Sequence, residues 1–339
     1  MLTAAGVVRL DRLYLVCPRC RGGLHPLDDR LGVDGFVSPQ AQRLLALAGA
    51  SWSFDRAAAN LKEFCGLTAC DNTIRSVCHA HGGAMRGWQR DDPAAVAGFR
   101  AATGDVEFQT DGTAVNTTGG WREMRLSIFA KRGRGTPVAG RHEWEQRGLP
   151  PPHARVIQAG VRTGGQLGPS WRRIAGRLGV TDAAAVSVIA DGAKWIRAQV
   201  AAHLPGSVGV LDIYHASEHL WSAARAVLGE GAAGAWVEAR RDTLLRRGAS
   251  GLLAEMDGAE WSGWRGYFES HTDHTGYAGR LAGGRSIGSG MVEGACKQVI
   301  GRRLKQTGAR WTVRRAERMA TVCAVLASGQ WELYWTSKA

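Results

Sequence analysis

Several features that would set the chain apart from ordinary globular proteins are missing from its sequence. No apolar run approaches the roughly 18 residues that a membrane-spanning helix needs, which excludes an integral helical membrane protein. The N-terminus lacks the pattern of a secretory signal peptide. The seven cysteines are an odd number without the spacing of a disulfide framework, which fits a reducing compartment. We therefore expect a cytoplasmic protein with no membrane partner.

Internal repeats and low-complexity tracts are absent too, and acidic residues are the scarcer charge. The 339 residues contain 30 Asp and Glu against 43 Lys and Arg, so the net charge is +13 and the pI is about 10. This balance favours a polyanionic partner such as nucleic acid, because phosphate neutralisation drives such binding. Two alternatives are solubility alone and the codon bias of a GC-rich genome. The length is enough for two or three domains of about 150 residues.

Two acidic residues follow neighbouring predicted strands. Asp191, with Gly192, comes after the apolar run 186–190, and Asp212 comes after the run 208–211. The sequence between them predicts a helix, so the whole is a strand–helix–strand unit. Open α/β sheets place their chemistry at the carboxyl ends of such strands. Clustered carboxylates at that edge favour a hard divalent cation.

Three further strands are predicted before this unit. Residues 106–113 include Asp111 at the predicted strand end, residues 124–130 alternate as an antiparallel neighbour, and residues 155–159 form a third strand. A helix is predicted over 168–178. The order of three strands, helix, strand, helix, strand is that of a ribonuclease-H-like mixed α/β sheet.

The predicted organisation has five segments. These are a partial zinc-ribbon-like segment at 1–38, a helical region at 39–103, a ribonuclease-H-like catalytic core at 104–216, a helical insertion at 217–282, and C-terminal helices completing the core at 283–339. The second of these C-terminal helices is predicted over 313–327. In the region 39–103, Ser38-Pro39 is a typical helix start. A second helix is predicted to start at Ser53, and a third is predicted from Thr68 to His79. The short helices there favour a helix-turn-helix DNA-binding unit. A plain helical bundle or linker is the alternative.

Cys17-Pro18-Arg19-Cys20 has the spacing of a zinc knuckle. A structural zinc site needs four ligands, and the chain contains no second CxxC pair. Cys17 and Cys20 are therefore candidate Zn²⁺ ligands of an incomplete set. The opening Met1-Leu2-Thr3 leads almost at once into a predicted strand, so we expect an N-terminal truncation that removed the other knuckle.

Asp111, Asp191 and Glu293 are the candidate catalytic residues and metal ligands. Glu293 lies in the first turn of a helix predicted from about Gly290 to Lys305, at the margin of its apolar stripe. Three carboxylates at one sheet edge suit two Mg²⁺ or Mn²⁺ ions, the arrangement used for phosphoryl transfer. Each aspartate alone is equally typical of a helix cap or a turn, so the hypothesis depends on their combination.

Asp212 and His215 are accessory candidates beside this edge. His215 could orient a substrate phosphate or form a hydrogen bond to a metal ligand. Alternatively, the two residues are a buried polar pair that caps the following helix. A direct metal role for Asp212 also stays open.

At these residues the sequence resembles the DDE transposases of the Mutator-like superfamily. Their pattern is a strand-end Asp, an Asp-Gly, a Cys/Asp-x-x-His signature, a helical insertion and a Glu; it matches Asp111, Asp191-Gly192, Asp212-x-x-His215, 217–282 and Glu293. A closer resemblance, to the Kra-type bacterial insertion-sequence transposases, is carried by residues 191–196, 211–220 and 290–311. It covers about residue 5 to the C-terminus.

The resemblance implies a nucleoid-associated bacterial transposase that binds terminal inverted repeats, nicks double-stranded DNA and joins the freed 3′-hydroxyls to a target. It also implies a homo-oligomer in the active complex and an N-terminal zinc-ribbon-like region, from which this chain departs by having one knuckle. The basic residues of the last block are candidate DNA contacts: Lys297, Arg303, Lys305 and Arg310. The alternatives are a truncated or domesticated DNA-binding protein, or another ribonuclease-H-like nuclease, against which the insertion argues.

Overall fold

The computed structural model describes residues 1–11, 13–31, 35–138, 141–180 and 186–338. The strands are β1 (Leu2–Thr3), β2 (Gly6–Val7), β3 (Leu15–Val16), β4 (Gly23–Leu24), β5 (Asp105–Thr117), β6 (Gly120–Arg132), β7 (Ala154–Gly160), β8 (Val186–Ala190) and β9 (Val208–Leu211). The helices of the N-terminal half are α1 (Pro26–Leu31), α2 (Pro39–Ser51), α3 (Phe54–Cys65), α4 (Asp71–Asp91), α5 (Ala94–Ala101), α6 (Arg141–Gln146) and α7 (Gly164–Arg177). Those that follow are α8 (Lys194–His203), α9 (Ile213–Leu228), α10 (Glu230–Ala254), α11 (Ser262–Glu269), α12 (Tyr277–Ala282), α13 (Gly290–Ala295), α14 (Arg302–Leu304), α15 (Val313–Ala327) and α16 (Trp331–Thr336).

The chain forms two compact units. The first consists of residues 1–95, 114–122 and 297–339, and the second of residues 96–113 and 123–296. This division differs from the predicted one, because most of the C-terminal segment belongs to the first unit. There α15 packs closely on α4: a Cβ on Gly82 would overlap the backbone of Arg318.

Helices of the first unit begin where the sequence predicts helix starts. Ser38 caps α2 by accepting a hydrogen bond from the N–H of Ala41 at 3.3 Å, and Ser53 precedes α3. Helix α4 runs beyond its predicted end at His79 because apolar residues continue to recur on its buried face as far as Trp88. The helix predicted over 313–327 is confirmed as α15.

The second unit contains a mixed sheet in the order β7-β6-β5-β8-β9. Pairing is parallel between β5 and β8 and between β8 and β9, and antiparallel between β6 and β7. Two residues join β5 to β6, which is too short for a crossover, so this pair is antiparallel as well. Strand β6 thus runs opposite to the other four, and the predicted mixed α/β architecture is confirmed.

Helices cover both faces of this sheet, as expected for buried parallel strands. On one face Phe108 and Val188 pack with Trp171 of α7. On the other, Ile189 and Val210 join a core formed by α9 to α12. The predicted insertion is therefore part of the second unit's own core.

The helix that carries Glu293 is shorter than predicted. It ends at Ala295, a π-helical segment follows over Cys296–Gly301, and α14 is a single turn. Across the ranges described above, no helix combines the length and apolar character that a membrane crossing requires.

Candidate active site

Asp111 and Asp191 lie side by side on neighbouring parallel strands. Gln109 pairs with Ile189 in the β5–β8 register, and each aspartate follows its member of that pair by two residues. Adjacent strands are about 4.8 Å apart, so the two carboxylates share one level of the sheet. Asp111 does not end its strand as predicted. Strand β5 continues to Thr117 because its hairpin with β6 extends past the end of β8.

Asp212 extends the same row onto a third strand. Ala190 pairs with Leu211, so Asp191 and Asp212 each follow that pair by one residue. The N–H of Asp212 donates to the carbonyl of Ala190 at 2.8 Å, so the hydrogen bonding continues to this level. The structure thus brings the three predicted aspartates to one edge of the sheet.

Glu293 lies on a helix that is bonded to the same face of the sheet as Asp111. Phe108 faces the α7 side, so Gln109 and Asp111 point to the opposite face. The side-chain oxygen of Gln109 accepts a hydrogen bond from the N–H of Val292 at 3.0 Å. Val292 immediately precedes Glu293 in α13. This contact fixes the start of the Glu293 helix against the strand that carries Asp111.

One carboxylate oxygen of Asp111 and one of Asp191 accept a hydrogen bond from the backbone that follows each residue. Asp111 Oδ1 accepts from the N–H of Gly112 at 2.6 Å, and Asp191 Oδ1 accepts from the N–H of Ala193 at 2.9 Å. Burial raises the pKa of Asp111, and the nearby charge of Asp191 adds to this effect. Two interacting like charges favour a cation between them. Each aspartate also has a second oxygen that accepts no hydrogen bond from the described residues.

These donors fit a divalent metal in chemistry, since Mg²⁺ prefers carboxylate oxygens and needs few protein ligands. No set of three or more Asp, Glu, His or Cys side chains lies close enough to form a ready-made metal group in the described ranges. Asp111 and Asp191 are positioned by neighbouring strands, whereas Glu293 is carried by α13. The charge of Glu293 contributes to the raised pKa of Tyr214, after burial and the charges of Asp212 and Glu145.

Asp212 is fully buried, and both of its carboxylate oxygens accept hydrogen bonds. Oδ1 accepts from the N–H of Tyr214 at 3.0 Å, and Oδ2 lies 3.0 Å from His215 Nδ1 and accepts from the hydroxyl of Ser289 at 2.5 Å. Asp212 is the N-cap of α9, and Ser289 is the N-cap residue of α13. Asp212 therefore caps α9 from a buried position, as in the alternative given by the sequence, whereas His215 is half-exposed.

His215 places a positive charge beside the aspartates. The hydrogen bond to Asp212 raises the pKa of His215 to about 9, with the charge of Asp191 adding to it. The imidazole is therefore protonated at neutral pH and donates to Asp212. Its charge in turn lowers the pKa of Asp111. A cation at this position suits an anionic substrate.

The turn after Asp191 is held by the helical insertion. The hydroxyl of Tyr267 donates to the carbonyl of Asp191 at 3.2 Å, and His271 Nε2 lies 3.1 Å from the carbonyl of Gly192. The ring of Tyr267 is stacked on that of His219, with 3.6 Å between centroids. No sequence pattern indicated Tyr267 or His271, because both contacts join residues more than seventy positions apart.

A further carboxylate that the sequence did not single out lies beside Asp111. A Cβ on Gly112 would overlap the carboxylate of Glu123, so this side chain crosses directly over the Gly112 backbone. The charge of Glu123 adds to the raised pKa of Asp111. Arg125 pairs with Glu123 at 2.7 Å. The alternating pattern of β6 could have placed Glu123 on the strand, but not next to Asp111.

The candidate DNA contacts and zinc ligands all lie in the first unit. Lys297, Lys305 and Arg310 are exposed, whereas Arg303 is buried and its Nε donates to the carbonyl of Gly49 at 2.6 Å. The Nε of Arg303 is therefore used in packing.

Cys17 and Cys20 are exposed thiols in the hairpin between β3 and β4. The N–H of Cys17 donates to Gly22 and its carbonyl accepts from Arg21, both at 2.9 Å. Hydrogen bonds from the backbone of Cys20 and Arg19 lower the pKa of Cys17. The hairpin thus presents two ligands of the kind that zinc takes, and no third is grouped with them in the described part of the chain.

Comparison with known families and with curated proteins finds no counterpart: no family model matches the chain, and no curated protein matches it.

Proposed function

We propose that the chain is a DNA transposase with a ribonuclease-H-like core, which cleaves and joins DNA strands at Asp111, Asp191 and Glu293. One observation carries the proposal: Asp111 and Asp191 share one level of two parallel strands, and the Glu293 helix is bonded to the same sheet face through Gln109. The strand order, with β6 alone reversed, supports the ribonuclease-H-like assignment. The net charge of +13 supports DNA as the partner.

Each of the three carboxylates has a defined part in this proposal. Asp111 and Asp191 would hold divalent ions through the oxygens that their turns leave free, and Glu293 would complete the set from α13. Bound Mg²⁺ or Mn²⁺ polarises the scissile phosphate and the attacking hydroxyl. Asp212 positions the other groups by tying the end of β9 to the starts of α9 and α13.

His215 contributes charge without being a metal ligand. Its imidazolium lies next to Asp111 and Asp191, where the phosphate of a DNA strand must approach carboxylates of the same sign. A fixed positive charge there offsets this repulsion and needs no reorganisation during the reaction. We therefore assign His215 to binding and orientation of the substrate phosphate.

A strand-cleavage assay tests the proposal. The full-length protein is incubated with DNA that includes the sequences flanking its own coding region, with Mg²⁺ or with a chelator. We expect Mg²⁺-dependent nicks that leave 3′-hydroxyl ends. Asp191→Asn should lower the cleavage rate at least about a thousandfold and leave DNA affinity unchanged or higher, because the lost charge acts in the reaction and repels the strand.

Asp257→Asn is the matched control, since Asp257 is an exposed acid of the same unit in the segment that follows α10. It should cleave at the wild-type rate. Wild-type cleavage by Asp191→Asn would remove Asp191 from the site. Tight DNA binding without any cleavage by the unmodified chain would instead identify a DNA-binding protein that retains this fold.

A further inference from the structure

A cleft of about 500 Å³ lies within the first unit. It is formed by the start of α3, the first turns of α4, and the segment that leads into α15. Arg75, Arg303, Arg310 and Arg315 line it together with two exposed acids, Asp55 and Asp71. Positive charge therefore predominates in the cleft.

Two buried polar side chains of this cleft lack hydrogen-bond partners. His79 is 8% exposed, and neither of its ring nitrogens has a partner among the described residues. Arg303 is 3% exposed, and its Nη2 is unpartnered within the same ranges although its Nε is bonded to Gly49. Buried polar atoms nearly always have partners in folded proteins. Two such groups lining one cleft indicate a ligand that supplies acceptors.

Aromatic rings hold Arg303 in place. Its guanidinium lies over Phe54 at 4.4 Å and over Trp311 at 5.1 Å from the ring centroids. Stacking occupies the faces of the planar group and leaves its edge donors available. This preorganised fork is well suited to a phosphate, which accepts two parallel hydrogen bonds.

The start of α15 adds backbone donors to the same cleft. Thr312 caps the helix by accepting from the N–H of Arg315 at 3.4 Å, and both residues line the cleft. The other N–H groups of the first turn have no intrahelical acceptors, and the dipole of this helix favours an anion at its start. A helix start and an arginine fork facing one space form a phosphate-binding arrangement.

We propose that this cleft binds a phosphate group of a DNA strand, held by Arg303, Arg310, Arg315 and the first turn of α15, with His79 donating from the cleft floor. The identity of the ligand rests on the proposed function, since DNA is its expected partner. The chemistry of the cleft does not rest on it. The cleft would fix the strand and leave the cutting to the aspartates of the second unit.

His79 provides a spectroscopic probe of occupancy. Burial lowers its pKa to about 4, and the charges of Arg315, Arg318, Arg75 and Arg303 add to the effect. A bound phosphate would oppose these charges, so it should raise the pKa of His79. Nuclear magnetic resonance of the imidazole measures this pKa directly in the full-length chain, with and without inorganic phosphate.

Two double variants with equal loss of charge test the cleft. Arg310→Gln with Arg315→Gln removes two arginines that line it, and Arg302→Gln with Arg314→Gln removes two exposed neighbours that do not. DNA affinity is measured by fluorescence anisotropy with a short duplex. We expect the DNA affinity of the first double variant to fall at least about tenfold, since each charge-assisted hydrogen bond accounts for about that factor. The DNA affinity of the control double variant should fall about threefold or less.

Other results would overturn the proposal. Equal losses for the two pairs would mean that only net charge matters. A His79 pKa that inorganic phosphate and the duplex both leave unchanged would show that the cleft binds neither. A response to inorganic phosphate alone would assign the cleft to free phosphate and refute the DNA source. The Asp191→Asn chain should retain the His79 response, so failure of cleavage and failure of this site are separately visible.

Discussion

Ser289 donates its hydroxyl to Asp212 over 2.5 Å, and this bond joins the start of the Glu293 helix to the end of β9. The same carboxylate caps α9 and holds His215. Its oxygens are fully buried and used by three donors, so it has no free oxygen for a metal ion. Asp212 is therefore a positioning residue. Its loss should change the position of the Glu293 helix and the charge of His215.

Replacement of Asp212 by Asn should separate these roles. The amide keeps one acceptor but loses the charge, so the pKa of His215 should fall towards its ordinary value. We expect DNA cleavage to fall by about 10–100-fold, the usual effect of losing a group that orients ligands. Ser289→Ala should reduce cleavage while leaving the His215 pKa raised, because only the bond to α13 is removed. A His215 pKa that stays near 9 in the Asn variant would contradict this assignment.

The protonated state of His215 predicts a pH-dependent contribution to stability. Its pKa in the folded chain is about 9, above the ordinary 6.5, because of the hydrogen bond to Asp212. The contribution is fully present below pH 6.5 and is lost as the pH rises through 9. With 38% of the side chain exposed, solvent screening limits it to about 1 kcal/mol. Urea unfolding should show the wild type more stable than His215→Gln near neutral pH. This difference should shrink as the pH rises from about 6.5 to about 9 and be nearly gone above that pH. A difference that stays constant over this range would contradict the prediction.

Short-range patterns predicted the parts of this site that lie on strands. The apolar runs before Asp191 and Asp212 are long and bounded, so strand ends could be read from them, and parallel pairing then places the acids at one edge. The Ser38-Pro39 pair predicted the start of α2 for the same reason. Each of these signals lies within a few residues of the feature it predicts.

The remaining features depend on contacts between distant residues. Gln109 and Val292 are 183 positions apart, and nothing in either neighbourhood specifies the other. The amphipathic pattern of 313–327 predicts a helix but not its partner, which is α4 of the first unit. For the same reason the segment boundaries expected from the sequence differ from the two compact units. Periodicity identifies the face that is buried and not the element that covers it.

The turn after Asp191 requires glycine at position 192. Two glycine-to-alanine variants can show whether the backbone conformation or the contact with His271 imposes this requirement. Gly192 and Gly206 have nearly the same φ, +85° and +82°. Alanine in this region costs about 1–2 kcal/mol at either position. A Cβ at Gly192 would also overlap His271 Nε2, whereas one at Gly206 would have no atom within 4 Å. Gly192→Ala should therefore lose more unfolding free energy than Gly206→Ala, and it alone should lose cleavage activity. Equal effects of the two variants would show that backbone conformation, and not the contact with His271, is what matters.

Gln109→Met tests whether the hydrogen bond to Val292 positions Glu293. Methionine preserves the volume of the buried side chain but cannot accept the N–H, so α13 loses its one direct bond to Gln109. Stability should fall by about 1 kcal/mol, since one buried donor is left without a partner. Cleavage should fall much further than this, with DNA affinity unchanged and a higher Mg²⁺ concentration needed for the half-maximal rate. The reason is that the Glu293 helix is no longer bonded to the strand that carries Asp111. A variant with reduced stability but wild-type cleavage and Mg²⁺ dependence would separate Gln109 from the site and leave it a purely structural contact.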